Sequence, residues 1–335
     1  MTEAVACPKR MSYGPCGGVR EDLGCEMAAF TCVFAGLEVP VPWPGPEAPP
    51  APDIPLLTTG VGRPVVLTDL TVRPFDPDSV AAVTAELGGS CDAVLVGEHQ
   101  DRPDFPPTLM TRLVREAGGE PWITLTCRER NQIALEQELG GLRTAGAAGV
   151  LCVTGDGRAR GVRPGVTQVF DLDSTRLAAL AAGAGLAVAV AEAPDAPPRH
   201  LRAPRLREKE RAGAHLAVLN HVAAPARLAA FAAAARAAGC TLPLVPGVAV
   251  YTDERSAAVL DLPGLRLDPR EVAAVLGAPD PVAAGVASAV REARALLAVD
   301  GVVGVNLSGL ASDRGEVFAA RVKAEVARAV VAEHE

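Results

Sequence analysis

The chain of 335 residues lacks several features that would place it in familiar classes of protein. No apolar run reaches the roughly 20 residues of a membrane-spanning helix, so we expect no transmembrane segment. The N-terminal sequence MTEAVACPKR lacks the apolar stretch of a signal peptide, which favours a cytoplasmic protein. A positive net charge is also missing. With 32 basic and 40 acidic residues the net charge is −8, which disfavours a nucleic-acid-binding surface.

From residue 63 onward, apolar strand-like runs alternate with helical stretches. Eight candidate strands lie at residues 65–72, 92–96, 122–126, 150–154, 186–191, 215–220, 242–248 and 301–306. Eight strands, each followed by a helix, predict an α/β protein with a (β/α)8 TIM barrel over residues 63–335. A doubly wound open sheet is the alternative, although no Gly-x-Gly-x-x-Gly follows the first strand to support a Rossmann dinucleotide site.

The clearest unit lies between Trp122 and Asp156 and is typical of strand, helix and strand. Residues 123–126 and 150–154 predict buried strands, and residues 128–144 predict an amphipathic helix. One face of that helix is expected to carry Ile133, Leu135, Leu139 and Leu142. A helical crossover between parallel strands places both carboxyl ends at the same edge, where ligands bind in such folds.

The first 37 residues differ from the rest and are predicted to form a small cysteine-rich appendage. Four of the chain's eight cysteines lie here, with eight, eight and six residues between them: Cys7, Cys16, Cys25 and Cys32. In a cytoplasmic protein such a group favours metal binding over disulfides. Four thiolates suit tetrahedral zinc or a [4Fe–4S] cluster, which would stabilise a segment with little core. The alternative is that one or two of these cysteines are buried small apolar residues.

Residues 38–62 are rich in proline and are predicted to form an extended, semi-rigid linker before the barrel. Proline at this density is expected to exclude a helix or an interior strand. A proline-rich motif for a partner protein is the alternative.

Polar residues end most of the predicted strands, which favours a chemically active cavity at that edge. Asp69 is a candidate general acid, and its degree of burial would determine its pKa. Asp156 follows Gly155, which permits close approach of a flat ligand, and Asn220 offers a donor and an acceptor to a ring edge. The other polar candidates are Thr124, Thr126, Glu192, Asn306, Ser308, His99 and, for a phosphate contact, Lys209. Each of them has a structural alternative as a cap, an ion-pair partner or a space-filling residue.

Several of these segments together resemble the methylenetetrahydrofolate reductase family. The resemblance spans roughly residues 65–330 and is carried by LTCRERNQIALEQELGGLRTAGAAGVLCVTGD, AGAHLAVLN, CTLPLVPGVAV and VDGVVGVNLSG. The N-terminal CPKR…GPCGG…GCE…C is similar to the zinc or iron–sulfur module known as the reductase "C-terminal" domain, placed here in front of the barrel.

The resemblance implies a TIM barrel that binds FAD and uses NAD(P)H to reduce 5,10-methylenetetrahydrofolate to 5-methyltetrahydrofolate, a step towards methionine biosynthesis. Asp69 corresponds to the family's catalytic glutamate, Asp156 to an aspartate beside flavin and pterin, and Asn220 to a folate-binding glutamine. The implied substrate-binding residues are Asp156, Asn220 and Thr126, and the implied flavin-binding residues are Thr124, Gly155, Asp156 and Lys209. Besides the folate substrate, the family allows a redox or methyl-transfer protein partner and a homo-oligomer.

The sequence departs from the family at the expected flavin site. Thr124 replaces a flavin-contacting histidine, residues 192–199 lack a tyrosine and a histidine, and Glu208 stands where an arginine is expected. Asp69 is one methylene shorter than glutamate, which moves a proton donor by about an ångström. The alternatives are therefore a flavin-free reductase, a non-catalytic folate-binding or methyl-transfer subunit, and a diverged one-carbon enzyme of specialised metabolism.

Overall fold

The structure, a computed structural model, describes residues 6–58, 62–158, 162–222, 224–260 and 267–332. Its centre is a sheet of eight strands: β1 (Val65–Asp69), β2 (Ala93–Val96), β3 (Pro121–Thr126), β4 (Gly149–Val153), β5 (Val188–Glu192), β6 (Leu216–Leu219), β7 (Leu244–Val250) and β8 (Gly304–Gly309). The strands are almost entirely buried on both faces, as expected for a parallel sheet covered by helices.

The strands pair in sequence order and the last pairs with the first, so the sheet is a closed barrel. In β1, Leu67 lies opposite Ala93 of β2 on one side and Asn306 of β8 on the other, both in parallel register. The predicted (β/α)8 TIM barrel is confirmed. Parallel closure places the carboxyl ends of the strands around one mouth, which is where ligands bind in this fold.

Helices surround the barrel: α1 (Pro55–Thr58), α2 (Pro77–Leu87), α3 (Pro107–Glu116), α4 (Gln132–Ala145), α5 (Ser174–Gly183), α6 (Arg202–Arg211), α7 (Pro225–Ala237), α8 (Glu254–Val259), α9 (Pro269–Leu276), α10 (Pro281–Leu297) and α11 (Glu316–Val331). Local chemistry explains their starts. Asp76 and Asp173 cap α2 and α5, and a proline opens α2, α3, α7, α9 and α10. In the described part of the chain, no helix is both long and apolar enough to cross a membrane.

The start and the buried face of α4 differ from the sequence prediction. Asn131 caps this helix through its side chain, so residues 128–130 remain in the loop above the barrel. The three leucines of the predicted face are buried. Ile133, however, is 68% exposed, because it precedes the first of them by two positions, roughly 200° around the helix.

Alternation along the strands produces two layers of apolar side chains. The inner layer fills the barrel and includes Leu67, Leu95, Trp122, Leu151, Ala189 and Val218. The outer layer lies between strands and helices and includes Val66, Val94, Ile123, Val150, Val190 and Leu219. Inward-pointing residues at the strand ends therefore enter the mouth above the inner layer.

Residues 6–37, here called the cysteine module, lie against the carboxyl-terminal end of the barrel. The Ser12 N–H donates to Asp173, the cap of α5, at 2.9 Å. The Arg202 guanidinium of α6 donates to the carbonyls of Pro15 and Cys16 at 3.1 and 2.9 Å. These long-range hydrogen bonds fix the module beside the mouth.

The proline-rich segment runs from the module to the opposite end of the barrel. Trp43 packs on Tyr13 with ring centroids 5.2 Å apart, and its backbone N–H donates to the Glu208 carboxylate of α6. Ile54 and Leu56 then join the inner apolar layer at its amino-terminal end. The segment has no regular secondary structure up to residue 54, and it then forms α1, a helix that dense proline was expected to exclude. Pro55 is tolerated there because the first helical N–H has no partner within the helix.

Candidate functional site

A cavity of about 320 Å³ opens at the carboxyl-terminal mouth of the barrel. Its wall brings together seven barrel residues that the sequence indicated: Thr124, Thr126, Gly155, Asp156, Glu192, Lys209 and Asn220. They come from β3, from the end of β5, from the residues just beyond β4 and β6, and from α6. The size is that of a small-molecule site, and we call it the mouth cavity.

Thr124 and Thr126 reach the mouth cavity because alternate residues of β3 point into the barrel. Thr126 is 3% exposed, and its Oγ1 has no hydrogen-bond partner among the described residues. Its backbone N–H donates to Glu98 Oε2 at 2.8 Å, which ties β3 to the loop after β2. An unpaired buried hydroxyl is unfavourable, so Thr126 is suited to contact a polar ligand.

Gly155 lies just beyond β4 with φ +90°, a conformation that favours glycine. A Cβ at this position would lie 3.2 Å from Arg128 Cβ and 3.3 Å from Thr126 Cβ. The chain can therefore turn closely over the mouth, and the exposed Asp156 stands at the edge of the cavity. The buried Arg128 supports this turn by donating to the Asp156 carbonyl at 3.4 Å.

Lys209 belongs to a buried charge cluster centred on Glu192. Glu192 lies 2.8 Å from Lys209 Nζ, 3.0 Å from Arg205 Nη1 and 3.5 Å from Arg202 Nη1, and all four side chains are at most 3% exposed. Burial raises the pKa of Glu192, but the charges of Lys209 and the two arginines prevail and lower that pKa to about 2. Burial, aided by the charge of Arg205, lowers the pKa of Lys209 to about 8.

The cysteine module also forms part of the wall, through Lys9, Cys16 and Gly17. The buried Lys9 donates from Nζ to the Gly155 carbonyl at 2.7 Å and forms an ion pair with Glu26 of its own module. Sequence reasoning missed Lys9 as a site residue. Its position depends on the module folding back over the mouth, which no local pattern signals.

Asp69 lies elsewhere in the mouth. Its Oδ1 accepts a hydrogen bond from Asn306 Nδ2 at 3.0 Å, and the same Nδ2 is 2.9 Å from Ser308 Oγ. The buried Lys323 donates to the Asp69 carbonyl at 2.7 Å. Among the residues that the structure describes, the wall of the mouth cavity does not include Asp69. The predicted substrate-binding residues are thus together, and the predicted proton donor is apart from them.

The four N-terminal cysteines line one small cavity of about 20 Å³ in the module, here called the thiol cavity: Cys7, Cys16, Cys25 and Cys32. Burial raises the pKa of Cys7 and of Cys32, and the neighbouring thiols raise both further. Over the described ranges, no group of three or more His, Cys, Asp or Glu is arranged to hold a metal ion. The four predicted donors therefore line one cavity, without being arranged as a coordination shell in the described residues.

The other cysteines have no comparable grouping. Cys127 and Cys152 are fully buried in the outer apolar layer, and burial raises the pKa of each thiol. Burial likewise raises the pKa of Cys91 to about 12 and that of Cys240 to about 11. These thiols are protonated at neutral pH and act as small apolar groups.

A second cavity, of about 430 Å³, lies beside the first and is formed mainly by the loops after β2, β3 and β4. The two cavities share Gly97, Glu98, Thr124 and Arg128. Its wall is rich in charge: Arg102, Arg128, Arg130, Arg158 and Arg163 with Glu98, Asp104, Glu129 and Glu138. Apart from the shared Thr124, sequence reasoning selected only His99 from this region. The polar stretches GEHQDR and CRERN, which directly follow two strands, were the signal that could have identified it.

Solved structures share the barrel at low sequence identity. Tryptophan synthase from M. tuberculosis, in an aminoacrylate- and BRD0059-bound form, is 15% identical with a TM-score of 0.50, over 84% of this chain and 99% of that chain. An uncharacterized protein from Clostridium thermocellum, which binds two copies of 5-methyl-5,6,7,8-tetrahydrofolic acid, is 10% identical with a TM-score of 0.54, over 79% of this chain and 95% of that chain. At these identities the likeness establishes the fold alone.

No curated protein matches the sequence. A protein-family description does match it: "Methylenetetrahydrofolate reductase", over residues 91–260. That range is just over half of the chain, extends from before β2 to beyond β7, and contains the barrel residues of the mouth cavity. The chain therefore belongs to the methylenetetrahydrofolate reductase family.

Proposed function

We propose that this protein is an oxidoreductase that reduces 5,10-methylenetetrahydrofolate to 5-methyltetrahydrofolate with NAD(P)H. The observation that carries the proposal is the mouth cavity, where Thr126, Asp156 and Asn220 face one space. Family membership supports folate-related one-carbon chemistry by an oxidoreductase. The C. thermocellum barrel, which binds 5-methyltetrahydrofolic acid, supports the same class of ligand.

The polar groups of the mouth cavity match the edge of a pterin ring, which alternates N–H donors with acceptors. The Asp156 carboxylate accepts from N–H groups, and the Asn220 amide both donates and accepts. The unpaired Thr126 hydroxyl supplies a further contact. Gly155, without a side chain, leaves room for a flat ring above the turn.

The residues assigned to a flavin do not fit that cofactor well. Lys209, expected at the flavin phosphates, already donates to Glu192 at 2.8 Å and to the Ala191 carbonyl. A phosphate at Lys209 would compete with the one carboxylate that keeps three cations buried. Thr124 takes the place of a flavin-contacting histidine. We therefore favour direct hydride transfer from the nicotinamide to the folate.

The second cavity is the proposed site of the nicotinamide dinucleotide. The exposed Arg102 in its wall suits a pyrophosphate, since guanidinium groups bind phosphate oxygens through paired hydrogen bonds. The wall shared with the mouth cavity at Gly97 and Thr124 would bring nicotinamide and pterin into contact. Both substrates would then be bound at once.

The reaction needs one proton and one hydride. A proton on N10 of the folate allows the methylene–N10 bond to break, which leaves an iminium at N5, and the hydride then adds to its carbon. Asp69 is the proposed proton donor. Asp69 lies outside the wall of the mouth cavity, so we propose that its proton reaches the folate through one bridging water.

The cysteine module is proposed to hold zinc or a [4Fe–4S] cluster through Cys7, Cys16, Cys25 and Cys32. The four thiols already share the thiol cavity, and a cation would offset the repulsion among thiolates. When bound, zinc would stabilise the module, and a cluster would supply electron transfer. Metal content of anaerobically purified protein tests the assignment. Cys25→Ser should lose the metal and Cys240→Ser should retain it.

The proposed reaction is tested by two measurements on the full chain. Titration calorimetry should show binding of 5-methyltetrahydrofolate, and NAD(P)H should be oxidised only when 5,10-methylenetetrahydrofolate is present, with 5-methyltetrahydrofolate as product. Folate binding without NAD(P)H oxidation would favour the non-catalytic folate-binding or methyl-transfer subunit. Absence of any folate binding would overturn both readings.

A further inference from the structure

The mouth cavity is not made by the barrel alone. Lys9 of the cysteine module lines both the mouth cavity and the thiol cavity. Its Nζ donates to the Gly155 carbonyl, and it pairs with Glu26 within the module. One side chain therefore connects the module to the turn that presents Asp156.

Burial of this lysine contrasts with the exposure of its neighbour. Lys9 is 2% exposed, whereas the side chain of Arg10 is 64% exposed and pairs with Asp171 at 3.3 Å on the surface. Withdrawing an ammonium group from water is unfavourable unless its new partners compensate. The protein thus encloses one of two adjacent cations, and it encloses the one that reaches the ligand cavity.

The hydrogen bond from Lys9 reaches the backbone at Gly155, a residue whose backbone conformation is not restricted by a side chain. A glycine at φ +90° is not confined by its own side chain, so the direction of the next residue depends on outside restraints. Arg128 restrains the Asp156 carbonyl from the barrel side, at 3.4 Å. Lys9 restrains the Gly155 carbonyl from the module side with a shorter, charge-assisted hydrogen bond of 2.7 Å.

We propose that Lys9 is a positioning residue for the folate: it holds the Gly155 carbonyl so that the Asp156 carboxylate faces the pterin edge. The folate site is therefore composite, completed by the cysteine module. The identity of the ligand rests on the proposed function. The restraint on Gly155 and Asp156 does not depend on it.

Three variants of the full chain test this role. Lys9→Met removes the ammonium group at similar length, Lys9→Arg retains the charge, and Arg10→Met removes the neighbouring surface cation. With 5-methyltetrahydrofolate as the probe in calorimetry, Lys9→Met should raise Kd about tenfold, because one charge-assisted hydrogen bond is lost. Lys9→Arg should regain most of the affinity, and Arg10→Met should match the parent. The KM for NAD(P)H should be unchanged, which a general loss of structure would not allow.

A double variant tests whether Lys9 acts through Asp156. If it does, adding Lys9→Met to Asp156→Asn should cause no further loss of affinity, because the two changes remove one shared interaction. Independent, additive losses would overturn the positioning role. Equal affinities of Lys9→Met and Arg10→Met would overturn it as well.

If the parent protein binds no folate, the proposed function is wrong, but the role of Lys9 can still be tested. Hydrogen–deuterium exchange then reads the restraint directly. Faster exchange over residues 154–158 in Lys9→Met than in Arg10→Met supports the role of Lys9, and equal exchange in the two variants contradicts it.

Discussion

The carboxylate of Glu192 lies 2.8 Å from the ammonium of Lys209, with both side chains almost completely buried. Arg202 and Arg205 approach the same carboxylate, so one anion compensates three cations at the wall of the mouth cavity. Glu192 ends β5 and the cations come from α6, so the cluster joins strand to helix. Arg202 extends the connection to the backbone of the cysteine module. The site is therefore sensitive to this single acidic residue.

We expect Glu192→Gln to lower the free energy of unfolding at pH 7 by about 3–5 kcal/mol, because it leaves three buried cations without their anion. Chemical denaturation measures the change. Glu86→Gln is the matched control, since Glu86 pairs with Arg321 on the surface at 3.1 Å. That control should change stability by less than about 1 kcal/mol. Similar effects of the two substitutions would refute the central role of Glu192.

The same carboxylate should make stability fall in acid. Its pKa is about 2 in the folded protein against an ordinary 4.5, so the folded state binds fewer protons than the unfolded chain between these values. Stability from this group is fully present above pH 4.5 and is lost as the pH falls towards 2, up to about 3 kcal/mol. Denaturation of parent and Glu192→Gln, both with chelator, should show their stabilities converging over this range. A constant difference would contradict the assignment.

Asp69→Asn should lower kcat by about 10²- to 10⁴-fold if Asp69 supplies the proton. The Kd for 5-methyltetrahydrofolate should stay near that of the parent, because Asp69 does not line the mouth cavity. Steady-state kinetics and calorimetry separate the two effects. Glu98→Gln is the comparison, since Glu98 is the carboxylate on the wall that both cavities share. A loss of kcat in Glu98→Gln but not in Asp69→Asn would transfer the acid role to Glu98.

Two adjoining cavities predict a sequential reaction with both substrates bound. Double-reciprocal plots at varied NAD(P)H and folate should intersect, whereas parallel lines would indicate a bound carrier such as a flavin. Arg102→Met in the second cavity should raise the KM for NAD(P)H about tenfold and leave the KM for folate unchanged. Arg112→Met removes an exposed arginine that pairs with Glu116 and should change neither value.

The amino-terminal end of the barrel should depend on Ile54 from the proline-rich segment. Ile54 lies in the inner apolar layer, so Ile54→Ala should lower the free energy of unfolding by about 2–5 kcal/mol. Val39→Ala in the same segment alters an exposed side chain and should have an effect within about 0.5 kcal/mol. Thermal or chemical denaturation checks both. An unchanged stability in Ile54→Ala would mean that the segment does not contribute to the core.

Local sequence patterns were sufficient to predict much of the fold. Each barrel strand shows as a short apolar run, and parallel strands joined by helices must collect their carboxyl ends at one edge. For that reason Thr126, Asp156 and Asn220, far apart in the chain, could be placed in one site before any coordinates. The gathering of the four cysteines followed from their density in a segment with little core.

By itself, then, the amino-acid sequence determined the barrel and most of the mouth cavity, because periodicity and strand ends are local properties. Only the tertiary structure decided that Asp69 turns towards Asn306, that Ile54 joins the barrel core and that Lys9 reaches Gly155. The two hydrogen bonds join residues that are 146 and 237 positions apart in the chain. All three contacts depend on how separately folded parts of the chain pack against one another. Docking depends on the shape and charge of whole surfaces, which no short stretch of sequence encodes.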